Sequence, residues 1–287
     1  YPIFKMVFDS FFKVGITGAR TFIGFDNYTK FLGDKNFWGA LKNTAFFTLI
    51  TTPMLVITAM VLAMLANRAT RMKKGLRIIY YLPSVLSVSV ASFIAKYTFT
   101  PYTGLVNGTL HSIGALPKDK ELQWLQNPNL VWITISLMTV WWTIGFSMLL
   151  YLSALQDISN DIYEASAIDG ANEIQHFFRI MLPVCKPIIA VLALWSFVGM
   201  WNSYFDAMIY LNDANLQPLQ LVLRSILVQN TPQPGMIADI QSTAEMAKVA
   251  ELLKYATIVV SSLPLLIMYP FFQKYFDKGI MVGSVKG

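Results

Sequence analysis

Long apolar stretches alternate with short polar ones along the chain, and the apolar stretches have the lengths of membrane-crossing helices. Residues 43–67, 78–95, 130–155, 187–211 and 255–273 are each close to the roughly twenty residues a span requires. They predict five complete spans. The opening 1–12 is apolar but short, with Lys5 and Asp9 inside it, and predicts the stub of a truncated first span beginning upstream of Tyr1. Residues 22–42 are polar and aromatic-rich and predict an interfacial loop with a short helix, Phe37 and Trp38 lying at headgroup depth. Pro53 sits inside the first complete span, where a membrane helix tolerates it as a kink. External connections are predicted at 100–128 and 212–250, with Asn107-Gly108-Thr109 read as a turn.

Charge orients this layout. Arg68, Arg71, Lys73, Lys74 and Arg77 follow the first complete span with no acid among them, which predicts a cytoplasmic loop. Alternate crossings then place residues 157–187 on the same side. Of 287 residues, 55% are hydrophobic and only 13% charged, against about a quarter charged in a soluble domain. The net charge of +6 raises the question of nucleic acid, but the basic residues flank apolar segments and report topology instead. The single cysteine, Cys185, excludes an internal disulfide and reads as a structural thiol at a membrane boundary. His111 and His176 are too far apart to suggest a metal site. No internal repeat or low-complexity linker divides the chain, so 1–287 reads as one all-α, polytopic membrane domain.

The polar stretch 157–187, DISNDIYEASAIDGANEIQHFFRIMLPVCKP, is patterned rather than loop-like. Asp157 or Ser159 can cap a first short helix, with Asp161 and Glu164 near its positive end and Gly170 closing it. Asn172 with Gln175 three residues on is a capping box, predicting a second helix. Its apolar face is Ile174, Phe177, Phe178 and Met181, Arg179 suits the last turn, and Pro183 marks the stop. Such a face needs a covering, and periodicity leaves two open: lipid headgroups with the chain's own helix ends, or a partner.

Glu164-Ala165-Ser166, Asp169-Gly170-Ala171 and Ile180-Met181-Leu182-Pro183 resemble the EAA loop of bacterial ABC importer permeases, Ser166 replacing the second alanine. FIGFDNYTKFL, FWGALKNTAFFTL and GLRIIYYLPSVLS are similar to the larger subunit of the carbohydrate-uptake branch, the maltose and glycerol-3-phosphate type. WNSYFDAMIYL, PLQLVLRSIL and YPFFQKYFDKGIMVGSVKG are similar to its smaller subunit. The resemblance implies a MetI-like permease fold in the bacterial inner membrane, half of a heterodimeric pore with a second permease subunit. It also implies two ATP-binding cassette subunits carrying ATP and Mg, an extracytoplasmic solute-binding protein, and a sugar or oligosaccharide substrate. In this reading Glu164, Ala165, Ser166, Asp169, Gly170, Ala171, Ile174, Phe177, Phe178, Ile180, Leu182 and Pro183 couple the chain to the ATPase. Residues 228–235 would reach into the binding protein.

The chain itself has no G-x-x-x-x-G-K-[ST] loop, no metal-spaced cluster and no G-x-S-x-G turn, so it reads as a non-enzyme that binds no cofactor. Asn202 and Asp206, four apart in the fifth predicted span, with Trp201 and Tyr204, are candidates to line a solute pathway; an aromatic interfacial belt is the other reading. Trp141, Trp142, Gly145 and Ser147 in the fourth span pose the same choice between pathway and helix packing. A self-sufficient secondary transporter or channel is the alternative to an ATP-driven importer. It would call for a mid-span ionisable relay, which the sequence lacks. A membrane-bound transferase would need clustered acids, and Asp157, Asp161, Glu164 and Asp169 are accounted for by capping and docking.

Overall fold

Backbone amides in lipid must find their partners within the chain, which makes helices the economical answer for apolar segments. The computed structural model describes residues 2–14, 20–67, 73–158, 172–211, 213–229 and 258–273, and is helical through most of them. The helices are α1 (Pro2–Asp9), α2 (Asp26–Gly33), α3 (Lys35–Asn67), α4 (Lys73–Val85), α5 (Val88–Thr98), α6 (Leu105–Ser112), α7 (Val131–Gln156), α8 (Glu173–His176), α9 (Leu182–Trp201), α10 (Phe205–Tyr210), α11 (Leu219–Gln229) and α12 (Ile258–Gln273). Three of these, α3, α7 and α9, are long and apolar enough to cross a membrane, and α4 with α5 makes a fourth candidate as a bent pair. The chain divides into two compact units, Tyr1–Ala45 with Asn202–Met268 and Phe46–Trp201 with Tyr269–Gly287.

In the first unit, a two-stranded antiparallel hairpin pairs β1 (Phe12–Val14) with β2 (Arg20–Phe22), Phe12 opposite Phe22. Buried Asn27 ties the hairpin to α2 by donating from Nδ2 to the Ser10 carbonyl at 2.8 Å. Phe11 packs edge-on to Phe25 and beside Tyr28. The predicted interfacial segment 22–42 follows this strand pair and holds the short helix α2, and α3 begins eight residues before the predicted span start at Asn43. Asp34 makes this early start possible by accepting from the Asn36 N–H at 2.8 Å. Phe37 is buried in protein rather than lying among headgroups, while Trp38 stays half exposed. Farther along α3, Thr44 accepts the Leu219 N–H at 2.8 Å, satisfying an orphan donor at the start of α11. Residues 212–250, expected as loop, thus contain a folded helix.

In the second unit, α4 packs along α7, and α9 packs on α7 as well. A Cβ built on Gly145 would lie 2.5 Å from the Tyr80 carbonyl oxygen, so only glycine lets α7 approach α4 this closely. Thr51 and Ser136, both fully buried, share a 2.7 Å hydroxyl–hydroxyl bond. The predicted straight span 78–95 is instead two helices whose axes turn through 101°. Pro83 weakens the end of α4, Ser87 starts α5 by accepting the Val90 N–H, and the Leu86 carbonyl stranded at the break accepts from Trp142 Nε1 at 3.0 Å. Of the expected five spans and a stub, the described residues show three spanning helices and a bent pair. Of the expected span 255–273, the described part is the apolar helix α12, Ile258–Gln273.

Asn107-Gly108-Thr109 is not a turn. It lies in α6, with Asn107 buried. Its Nδ2 donates to Glu121 Oε2 at 2.6 Å and to the Leu122 carbonyl at 3.1 Å, and its Oδ1 accepts from Trp124 Nε1 at 2.7 Å. Polar residues that would suit a turn are here the centre of a folded connection.

Candidate functional site: a hydroxyl-lined aromatic cavity above a widened helical turn

Of the predicted coupling residues, Glu164, Ala165, Ser166, Asp169, Gly170 and Ala171 lie outside the described residues. The second half of the segment is described and begins as predicted. The Asn172 N–H donates to Gln175 Oε1 at 3.1 Å, and the Gln175 N–H donates to Asn172 Oδ1 at 2.8 Å. This reciprocal pair starts α8.

Pro183 does not stop the helix. Residues Phe177–Met181 form a π-turn, the Leu182 N–H reaching back to the Phe177 carbonyl, and the backbone continues directly into α9. Residue Arg179, whose carbonyl a ring at Pro183 would strike in an α-helix, lies in this widened turn, which accommodates Pro183. Widening also breaks up the predicted apolar row. Met181 is buried, Phe178 is 61% exposed, and Phe177 is half-buried with its ring edge-on to Phe178 at 4.9 Å. Leu182 is half-buried and Pro183 exposed. Ile174 and Ile180 fall within these turns. Cys185, four residues on from Met181, is buried, in keeping with a structural thiol.

Above this turn, α7 and α9 enclose a cavity of about 310 Å³. On α7, Trp142, Thr143, Phe146 and Ser147 line it, spaced so that all four fall on one helical face. Leu192, Trp195, Ser196, Gly199 and Met200 line it from α9, with Leu55 of α3 and Ser84 of α4. The rings of Phe146 and Trp195 meet edge-on, 5.9 Å apart. The hydroxyls are arranged differently: Ser84 donates to the Tyr81 carbonyl and Thr143 to the Thr139 carbonyl, keeping their lone pairs as acceptors. A mostly apolar wall with three aromatic rings and a few hydroxyls suits a ligand having both C–H faces and hydroxyl groups.

Two predicted pathway residues, Trp142 and Ser147, are brought into this cavity; Trp141 is not among its lining. The others separate. Trp201 is the buried last residue of α9, its ring stacked on Phe197. The helix breaks there, so Asn202 and Asp206 do not share a helix face: Asn202 lies in the turn and Asp206 in the first turn of α10. Local polar competition from Asn202 and Ser203 ends α9. In the first unit Asn202 Oδ1 accepts from Gln220 Nε2 at 3.2 Å, and the Arg224 guanidinium lies 5.8 Å from the centroid of the Tyr204 ring. Thr143, Phe146, Trp195, Ser196 and Gly199 were not singled out in the sequence. The signal was present in the spacing of Ser147 to Thr143 and of Ser196 to Gly199.

Relatives agree with this reading of the fold. The sulfoquinovosyl glycerol transport system permease protein SmoG of Agrobacterium fabrum is 37% identical over 193 residues, 67% of this chain and 61% of its own. The polygalacturonan/rhamnogalacturonan transport system permease protein YtcP of Bacillus subtilis is 37% identical over 143 residues, 50% of this chain and 49% of its own. The matches thus span about half to three-fifths of these relatives. A chain of a bacterial alginate ABC transporter, solved in complex with an alginate pentasaccharide-bound periplasmic protein, superposes with a TM-score of 0.68 at 23% identity, covering 86% of this chain and 82% of that one. Residues 35–282 match the family described as binding-protein-dependent transport system inner membrane component. The chain belongs to that family and has the fold of an ABC transporter permease.

Proposed function

We propose that this chain is a pore-forming subunit of an ATP-driven, binding-protein-dependent importer of sugars or oligosaccharides. The observation that carries the reading is the α7–α9 cavity, in a chain whose named relatives are permeases for sugar derivatives and polysaccharides. Trp142, Phe146 and Trp195 would offer ring faces to the C–H faces of a sugar, and Ser84, Ser147 and Ser196 would meet its hydroxyls. Trp141, Trp201, Asn202, Tyr204 and Asp206 are proposed as further residues of the solute pathway.

In this proposal the segment 157–187 docks in a groove of a cytoplasmic ATPase, on the side of the basic cluster at 68–77, as a helix-in-groove contact. ATP and Mg belong to that partner, a second permease completes the pore, and an extracytoplasmic protein delivers solute. The continuous backbone from α8 into α9 supports a rigid link from docking segment to cavity.

Two substitutions test it in the reconstituted complex. Ser196→Trp fills the cavity and is expected to abolish sugar uptake while the subunits still assemble. Gly170→Asp is expected to leave the chain inserted but uncouple uptake from ATP hydrolysis. Undiminished uptake with normal ATPase co-purification in Gly170→Asp overturns the coupling role. Ion-gradient-driven uptake by this chain alone, in proteoliposomes without ATP, overturns the importer reading.

A further inference from the structure

The connection between α5 and α7 is closed by one carboxylate. Glu121 Oε2 accepts from the Tyr102 N–H at 3.0 Å and from Asn107 Nδ2 at 2.6 Å, and Oε1 lies 3.1 Å from His111 Nε2. The other ring nitrogen of His111, Nδ1, lies 3.1 Å from the Leu116 carbonyl oxygen. A carbonyl can only accept, so Nδ1 carries a hydrogen. An ionised carboxylate can also only accept, so Nε2 must carry one too for the Glu121 contact to be a hydrogen bond. The Tyr102 N–H above all, then His111 and Asn107, holds the Glu121 carboxyl below its ordinary range. Protonated on both ring nitrogens, His111 would satisfy both acceptors at once.

The anchored turn is strained. Tyr102 is the positive-φ non-glycine residue among those described, at φ 66°, and it is largely exposed. A left-handed tyrosine persists only where its surroundings hold it, and its N–H is held by Glu121. The Phe99 and Trp124 rings pack edge-on beneath the same connection.

We propose that the α5–α7 connection is a proton-dependent clasp, closed while His111 is protonated on both ring nitrogens and loosened when Nε2 gives its proton to solvent. With Nε2 bare, two lone pairs face each other across the 3.1 Å contact. The carboxylate turns away and the Tyr102 turn loses its anchor. The other titratable groups of these elements are Lys96 and Tyr97 on α5, Tyr102 in the anchored turn, and Lys118, Asp119 and Lys120 just before Glu121; the ion-pair partner of His111 is Glu121. A proton bound in the closed form and released on opening makes closing more favourable as pH falls, until Glu121 itself is protonated. Histidine is the side chain whose ordinary charge change falls between about pH 5 and 8, which is what a proton-dependent clasp calls for. Which side of the membrane it faces rests on the importer orientation proposed above; the clasp does not.

The full chain, in lipid nanodiscs with whatever subunits co-purify, allows a direct test. Hydrogen exchange of the peptide covering 100–122, corrected for the intrinsic rate, is expected to rise several-fold between about pH 6 and pH 9, across the histidine range. His111→Lys keeps a cationic donor and is expected to flatten that rise; His111→Gln is expected to give fast exchange throughout. With His176→Ala as background, ¹⁵N-histidine spectra are expected to show both ring nitrogens of His111 protonated at the acid end. A neutral ring there, or wild-type exchange that does not change with pH, overturns the proposal. So does a pH-dependent rise that survives in His111→Lys.

Discussion

Gly145 and Tyr80 touch backbone to backbone: a Cβ on the glycine would lie 2.5 Å from the tyrosine carbonyl oxygen and 2.6 Å from the Cα of Tyr81. Neither atom belongs to a side chain that can swing away. Gly145→Ala is therefore expected to pry α7 from α4, destabilising the fold by about 1–3 kcal/mol, the usual range for overpacking. Thermal unfolding in detergent measures it, and a melting temperature equal to wild type would show that the helices slide apart freely.

Trp142 has two separable roles, a ring face on the cavity and an N–H on the Leu86 carbonyl. Trp142→Phe keeps a ring and leaves the carbonyl at the α4–α5 break unpaired, which costs about 1–3 kcal/mol. Stability is expected to fall while solute affinity is largely kept. Trp142→Ala is expected to lose both, and the difference between the variants in sugar-stimulated ATPase activity reports the ring face alone.

Thr51 and Ser136 bond to each other where no water competes. Even so, hydrogen bonds between membrane helices couple weakly, by about 0.6 kcal/mol on average and about 1.7 at most. A double-mutant cycle with Thr51→Val and Ser136→Ala is expected to return a coupling of that size by denaturant unfolding. A larger value would mean that the pair also positions neighbouring groups.

The Glu121 carboxyl is acidified chiefly by the Tyr102 N–H, with burial opposing and His111 and Asn107 assisting. A carboxyl whose folded value is depressed stabilises fully above its unfolded value of 4.5 and loses that contribution as pH falls through the folded value. Acid below that range is expected to loosen the 100–122 segment in the wild type. In Glu121→Gln this acid step is expected to vanish, as read by hydrogen exchange of the same peptide.

Features set by neighbours in sequence were legible before the structure. The Asn172–Gln175 capping box, the ends of α7 and the kink-tolerant Pro53 follow from local spacing. The features that were misread depend on partners far along the chain or on competition between local rules. Nothing near Leu86 announces that its carbonyl will be met by Trp142, 56 residues away. Asn107 reads as a turn former until Glu121 and Trp124 engage it. Pro183 stops a standard helix but not one widened immediately before it. For the cavity, aromatic and hydroxyl residues stood out within apolar spans, yet α7 and α9 are apolar all round, and periodicity offers no face to choose. Packing against α3 and α4 made that choice.

The π-turn at Phe177–Met181 holds one residue more than an α-turn would. Removing a residue there would restore ordinary winding and rotate α8 against α9 by about 100°, one residue's share of a 3.6-residue turn. The five residues from Phe177 to Met181 thus act as a phase setting. They decide which way the Asn172-capped end points when Leu192, Ser196 and Gly199 look into the cavity.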